Sequence, residues 1–204
     1  MVHADSEHDL IEQQKAHANQ LLKEGYLERL AADPYRPRYH YLLTEGDRLR
    51  DNLCFYWKGW YHIFYLYGPT RDWSDWLHLG HARSRDLVNW KEFPIALTSG
   101  PEEFDRVMVM AGCIVADESG KVHIFYTAQP SAGNCHSVAL DDSLIRWGKD
   151  PDNPVVPIFS DPPKGLRAFC LDPDIWKDGD TWYMLLASAF NGSGAAPIMT
   201  SPDL

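Results

Sequence analysis

Carboxylates are the groups in this chain whose type suits them best to chemistry. Asp51 stands directly before Asn52, ahead of the aromatic run that begins at Phe55, and Asp172 stands directly before Pro173 at the head of another strand-like run. An ionised aspartate can attack an electrophilic carbon, hold hydroxyl groups, or exchange a proton. The same side chains build turns, because Asp accepts hydrogen bonds from its own backbone a few residues on, so turn-capping is the competing use of both. Other constellations are thin. His78 and His81 fall on a strand-like segment, where positions i and i+3 face opposite sides, so a shared metal is not expected. Cys54, Cys113, Cys135 and Cys170 contain no C-x-x-C, which excludes zinc-ribbon and thioredoxin-type sites. There is no H-E-x-x-H, G-x-S-x-G or phosphate-binding glycine loop. Neither a metal nor an organic cofactor is expected.

The elements that must position these residues follow from composition and repeats. The chain has 204 residues, 45% hydrophobic and 24% charged, with 14 Gly and 14 Pro. At about 150 residues per domain this is one domain or one with an appendage. Eight Trp, 10 Tyr and 8 Phe with frequent turn residues point to aromatic-rich strands and a ligand with stackable faces. The net charge of −10 argues against nucleic acid as a partner. No run of ~18 apolar residues predicts a membrane-spanning helix. The polar start MVHADSEHDL does not read as a secretory signal, so a cytoplasmic location and reduced, mostly buried thiols are expected.

Residues 6 to about 31 read as a helical lead-in, with Ser6 and Asp9 as a weak capping box and Gly25 as a stop. The Pro-broken DPYRPRYH follows, and from about residue 49 the pattern becomes β. FYWKGWYHIFYLY, VADESGKVHIFYTA and DIWKDGDTWYMLLAS align on Gly59, Gly120 and Gly179, a repeat of about 60 residues. Each is a hairpin. SRDLVNW, DDSLIRW and SPDL recur after the hairpins at the same interval. Two hairpins per repeat is the plan of a β-propeller blade; a β-sandwich with coincidental spacing is the alternative.

These segments resemble glycoside hydrolase family 32, the β-fructosidases that include invertases and levanases. RPRYHY (36–41) is similar to the family's opening motif, FYWKGWYHIFYLYGP (55–69) to its first blade, and WLHLGHARSRDLVNWKEFPIAL (76–97) to its W-G-H-A-x-S-x-D-L-x-x-W segment. HSVALDDSLIRWGKDPDNPV (136–155) and LDPDIWKDGDTWYML (171–185) fit later segments in order. Family 43 arabinosidases and xylosidases share the blade pattern. The resemblance implies an all-β five-bladed propeller, present here as about its first three blades over 36–204, with 1–35 as a helical extension. Five blades need roughly 300 residues, so a truncated propeller is expected. It also implies a carbohydrate substrate and no metal or cofactor.

Retaining glycoside hydrolysis needs two carboxyl groups about 5–5.5 Å apart, one a nucleophile and one an acid/base. The family adds a third carboxylate, in Arg-Asp-Pro, that stabilises the transition state. The resemblance assigns that third role to Asp172, with Leu171 in place of the Arg. It assigns the nucleophile to Asp51 after a one-residue shift, since ungapped counting from His40 lands on Arg50; Asp47 is the second candidate. Asn52, Trp76 and Cys113 match positions that bind substrate, and Trp57, Trp60 and Trp73 could also stack on sugar faces or pack blade edges. Leu66 replaces the family's Gln, Leu79 its Trp before Gly-His-Ala, and Ala111-Gly112-Cys113 its Ser-Gly-Ser. The family's acid/base Glu, in a Glu-Cys motif downstream of the segment matched by SPDL, has no counterpart among the Glu residues present. A non-catalytic carbohydrate-binding or scaffold propeller and a family 43-like activity are the alternatives.

Overall fold

The computed structural model describes residues 25, 28, 29, 32–37, 40–42, 50–68, 77–100, 104–129, 131, 133–158, 161–168 and 170–204. Most of the expected helical lead-in lies outside these residues. Of its described positions, Glu28 and Arg29 have helical backbone, and the Arg29 N–H donates to the Gly25 carbonyl at 3.1 Å.

Every named element among the described residues is a strand. The first sheet runs β1 (Arg50–Trp57), β2 (Trp60–Tyr67), β3 (His78–Ser84), β4 (Trp90–Leu97). The second runs β5 (Met108–Ala116), β6 (Val122–Gln129), β7 (Asn134–Ala139), β8 (Trp147–Lys149). The third contains β9 (Leu171–Asp178), β10 (Thr181–Phe190) and β12 (Ile198–Ser201), with β11 (Ser193–Ala195) on the far end of β10. All pairings within the sheets are antiparallel.

Both repeat markers have a physical basis. Lys58 and Gly59 form the first hairpin turn with φ of 45° and 81°, the double left-handed geometry that matches strand twist in a two-residue turn. The second marker is an aspartate-capped loop. The Asp86 carboxylate accepts from the backbone N–H of Val88 and Asn89, and Asp141 accepts from those of Ser143, Ile145 and Arg146. Leu87 and Leu144 then turn left-handed at φ 63° and 57°. The indole N–H of Trp90 and of Trp147 each returns to that leucine's carbonyl, at 3.1 and 3.0 Å. The SPDL segment repeats the start of the loop: the Ser201 hydroxyl donates to Asp203 at 3.1 Å.

Alternation along the strands stacks the sheets. Phe64 and Leu66 of β2 face Ile124 and Tyr126 of β6 in one core between the first two sheets, joined by Leu53, Leu79 and Val109. The opposite face of β6 presents Phe125 to Ile175 and Trp182 of the third sheet. The outer face of the first sheet is closed by Tyr41, which packs on Ile63, Tyr65, Tyr67 and Ala82 and donates its hydroxyl to Tyr65 at 3.3 Å. Burying such apolar faces contributes roughly 25 cal/mol per Å² and sets which sheet meets which. β5 lies against both β1 and β9, so the first strands of the three sheets run side by side.

Candidate active site

Each of these first strands carries the same irregularity. In β1, Arg50 pairs with Leu66 and Leu53 with Phe64, so Asp51 and Asn52 together oppose Tyr65. In β5, Val109 pairs with Ala128 and Gly112 with Tyr126, so Met110 and Ala111 oppose Thr127. In β9, Leu171 pairs with Ala187 and Asp174 with Leu185, so Asp172 and Pro173 oppose Leu186. Two residues against one is a β-bulge, which bends the strand and re-aims a side chain. Asp51 and Asp172 are each the first residue of their bulge, and each has φ of 51°. A left-handed backbone costs a non-glycine residue about 1–2 kcal/mol, least for Asn and Asp, and such strain collects where a side chain must be aimed. Pro173 is tolerated because a bulge position needs no ladder N–H.

Because β1, β5 and β9 adjoin, the two aspartates interact. Partial burial raises the Asp172 pKa above the usual carboxylate range, and the negative charge of Asp51 raises it further. Both residues retain solvent access. The Asp172 N–H donates to Thr127 Oγ1 at 2.8 Å. Such a pair can present one carboxylate to a reacting carbon while a second lies beside it.

The other expected site residues divide. Asn52 shares the β1 bulge and is exposed beside Asp51. Trp76, Trp73 and Asp47 lie outside the described residues. Cys113 packs with Phe125, Ile175 and Trp182 in the seam between the second and third sheets. Burial first, then the nearby charge of Asp174, pushes its thiol up to about 12, so it is a neutral group there. All four cysteines are free thiols, with Cys135 and Cys170 buried and Cys54 exposed. Trp60 has the guanidinium groups of Arg83 and Arg85 each 4.2 Å from its ring centre, and Trp57 stacks on Phe55 against the core. Both indoles are engaged in packing.

Leu66 and Leu79, two of the positions that depart from the family pattern, face each other directly across β2 and β3 and are fully buried. Two separate departures in sequence are thus one local change, a Leu–Leu pair in the core. His78 and His81 have different partners: the Ser99 N–H donates to His78 Nδ1 at 2.9 Å, whereas His81 Nε2 lies 2.9 Å from His62 Nδ1. The second sheet repeats that imidazole pair as His123 and His136, 2.8 Å apart and flanked by Asp117 and Asp150. Sequence reasoning missed the histidine pairs and also Thr127 and Asn134. The one sign of Thr127 was a hydroxyl interrupting the apolar run of β6.

Among the described residues, no group of three or more His, Cys, Asp or Glu could hold a metal ion. Among them, too, no helix is long and apolar enough to cross a membrane.

The chain is similar to known proteins. The chain is 31% identical over 169 residues to a sucrose-6-phosphate hydrolase of Zymomonas mobilis subsp. mobilis, covering 78% of this chain and 31% of that protein. It is 30% identical over 178 residues to an acid beta-fructofuranosidase of Phaseolus vulgaris, covering 82% and 26%. The crystal structure of fructan 1-exohydrolase IIa from Cichorium intybus superposes with a TM-score of 0.73 at 26% identity, over 83% of this chain and 33% of that one. The chain therefore spans about a third of the length of such relatives. Residues 51–204, from the first bulge aspartate to the last residue, match the glycosyl hydrolases family 32 N-terminal domain, and the chain belongs to that family.

Proposed function

We propose that this chain forms the N-terminal part of a retaining β-fructosidase, in which its three sheets are the first blades of a five-bladed propeller. Asp51 is the nucleophile and Asp172 the carboxylate that holds sugar hydroxyls and stabilises the positive charge developing in the transition state. The observation that supports this most is the equivalence of Asp51 and Asp172: the same bulge position, the same φ of 51°, and the charge of Asp51 acting on Asp172 from strands that share the neighbour β5. In the reaction an Asp51 oxygen bonds to the anomeric carbon as the bond to the leaving oxygen breaks. A carboxylic acid protonates that oxygen, and water then cleaves the glycosyl ester, restoring both groups. The resemblance places that acid in a Glu-Cys motif that the chain's residues do not match.

The relatives named as sucrose-6-phosphate hydrolase and beta-fructofuranosidase support a fructofuranoside as substrate. Leu171 stands in place of a cation, and Leu66 and Leu79 are withdrawn into the core, so fewer direct hydrogen bonds to sugar hydroxyls are expected than in the family pattern.

The test joins residues 1–204 to the remaining blades of a relative and measures hydrolysis of sucrose and aryl fructofuranosides. Asp51→Ala should lose roughly three orders of magnitude or more in kcat, and a mechanism-based inhibitor should label Asp51. Labelling of another carboxylate would overturn the assignment. Saturable sugar binding with no turnover would show a binding protein in place of an enzyme.

A further inference from the structure

Asp172 sits in a bulge, where its N–H has no place in the β9–β10 ladder, so it must find an acceptor elsewhere. The acceptor comes from a different sheet. Thr127 of β6 is itself the single residue opposite the β5 bulge. Its Oγ1 accepts from the Asp172 N–H at 2.8 Å, and its hydroxyl donates to Asn134 Oδ1 at 3.2 Å. Asn134 Nδ2 in turn donates to the Cys170 carbonyl at 3.1 Å. Thr127 and Asn134 are cross-strand partners, and both are essentially inaccessible to solvent, at 0% and 1%. The Asn134 backbone is pinned by a reciprocal pair of hydrogen bonds with Val156, at 2.8 and 3.0 Å. The chain is thereby gripped on both sides of Leu171, by a donor before it and an acceptor after it.

We propose that Thr127, braced by Asn134, is a positioning residue for Asp172: the pair holds the start of β9 so that Asp172 keeps its left-handed backbone and presents its carboxylate toward Asp51. The inference rests on the reading above for what the carboxylates do, and on the hydrogen bonds alone for how they are placed. The residue type follows from the geometry. A hydroxyl can accept from one partner and donate to another through one atom. A valine of the same shape can do neither. A buried Thr-Asn pair is also a poor choice for packing unless its hydrogen bonds matter.

The experiment is a carboxyl-carbon NMR titration of Asp172 in the 204-residue chain, with the resonance identified by its loss in D172N. In the unsubstituted chain, D51N should lower the Asp172 pKa, because it removes the Asp51 charge. In T127V the D51N-induced shift should shrink about twofold or more, since Coulomb interaction falls as the groups separate. T127S, which keeps the hydroxyl, should restore it. N134S, which leaves Thr127 but withdraws the donor from Cys170, should also reduce the shift, and it carries the test should T127V not fold. A T127V or N134S chain with a lower Tm but an undiminished D51N shift would show a purely structural role and overturn the proposal. So would an Asp172 insensitive to D51N in the unsubstituted chain. Failure to hydrolyse fructosides would instead count against the enzymatic reading and leave this titration unaffected.

Discussion

Asp51 and Asp172 occupy the same position in two different sheets. Each is the first residue of a two-for-one bulge in a first strand, each has φ of 51°, and the charge of Asp51 raises the pKa of Asp172. The second sheet has a two-for-one bulge at the same place, but Met110 stands where the aspartates do and lacks their left-handed backbone, and its neighbour across the bulge, Thr127, accepts the Asp172 N–H. Repetition of one backbone device thus supplies two carboxylates and a brace.

Asp172 should be kept at some expense in stability. Its pKa is raised by partial burial and then by Asp51, so the folded state binds the proton more tightly than the unfolded state. Its contribution to stability therefore declines as pH rises from the ordinary aspartate range through the raised value. Asp172→Asn should raise Tm at pH 7. The side chain is partly solvated and screened, so the gain should be about 0.5 kcal/mol or less, or about 1–2 °C. Thermal unfolding at pH 7 checks this; a fall in Tm would mean that the carboxylate is net stabilising.

The Leu66–Leu79 pair should not tolerate a return to the family's polar residue alone. Leu66→Gln would place an amide in a site that is 0% exposed and walled by apolar side chains. The expected loss is about 2–4 kcal/mol from the unpaired amide and lost packing. Urea unfolding gives the value, and a loss under about 0.5 kcal/mol would show that the site can open to water.

Lys149 closes the seam between the first two sheets. Its ammonium lies 2.6 Å from Asp105 Oδ2 and donates to the carbonyls of Thr98 and Gly100 at 2.7 and 3.2 Å, while Tyr126 donates its hydroxyl to the same Asp105 oxygen at 3.1 Å. Burial raises the Asp105 pKa and Lys149 opposes the rise. Lys149→Met should cost about 3–5 kcal/mol at pH 7 by stranding a buried carboxylate. Without the cation Asp105 takes up a proton more readily, so the cost should be smaller at pH 5. Chemical unfolding of both chains at the two pH values tests the sign, and an equal cost at both would contradict it.

Buried histidines should dominate the acid limb of stability. Burial first, then the charge of Arg83 for His62 and of Lys149 for His78, holds both down at about 4. Burial, then His62 and Arg83, holds His81 at about 3. Folded-state values below the ordinary value near 6.5 mean that the unfolded chain binds more protons. Their stabilisation is complete above about pH 6.5 and declines as pH falls toward 4. Raised Asp105 and Asp172 act in the opposite sense over the acid range. Between pH 7 and pH 5 a net loss on the order of 2–4 kcal/mol is expected. An unchanged urea midpoint across that interval would refute it.

The repeat, its hairpins and the recurring turns between them were legible from residue types alone. Each depends on contacts within a few residues: Lys58-Gly59 needs only its own φ angles, and Asp86 and Asp141 bond to the backbone just ahead of them. The glycine turns at Gly59, Gly120 and Gly179 likewise made the antiparallel hairpins legible. The sequence also drew attention to Asp51 and Asp172, but through family resemblance, since nothing in their neighbouring residues marks a bulge. Strand register and sheet stacking brought the charge of Asp51 to bear on Asp172, made Leu66 and Leu79 one pair, put Cys113 in a packed seam, and carried Thr127 to Asp172 from another sheet. A one-residue change of register moves a side chain to the opposite face, and no local preference along the chain records that choice.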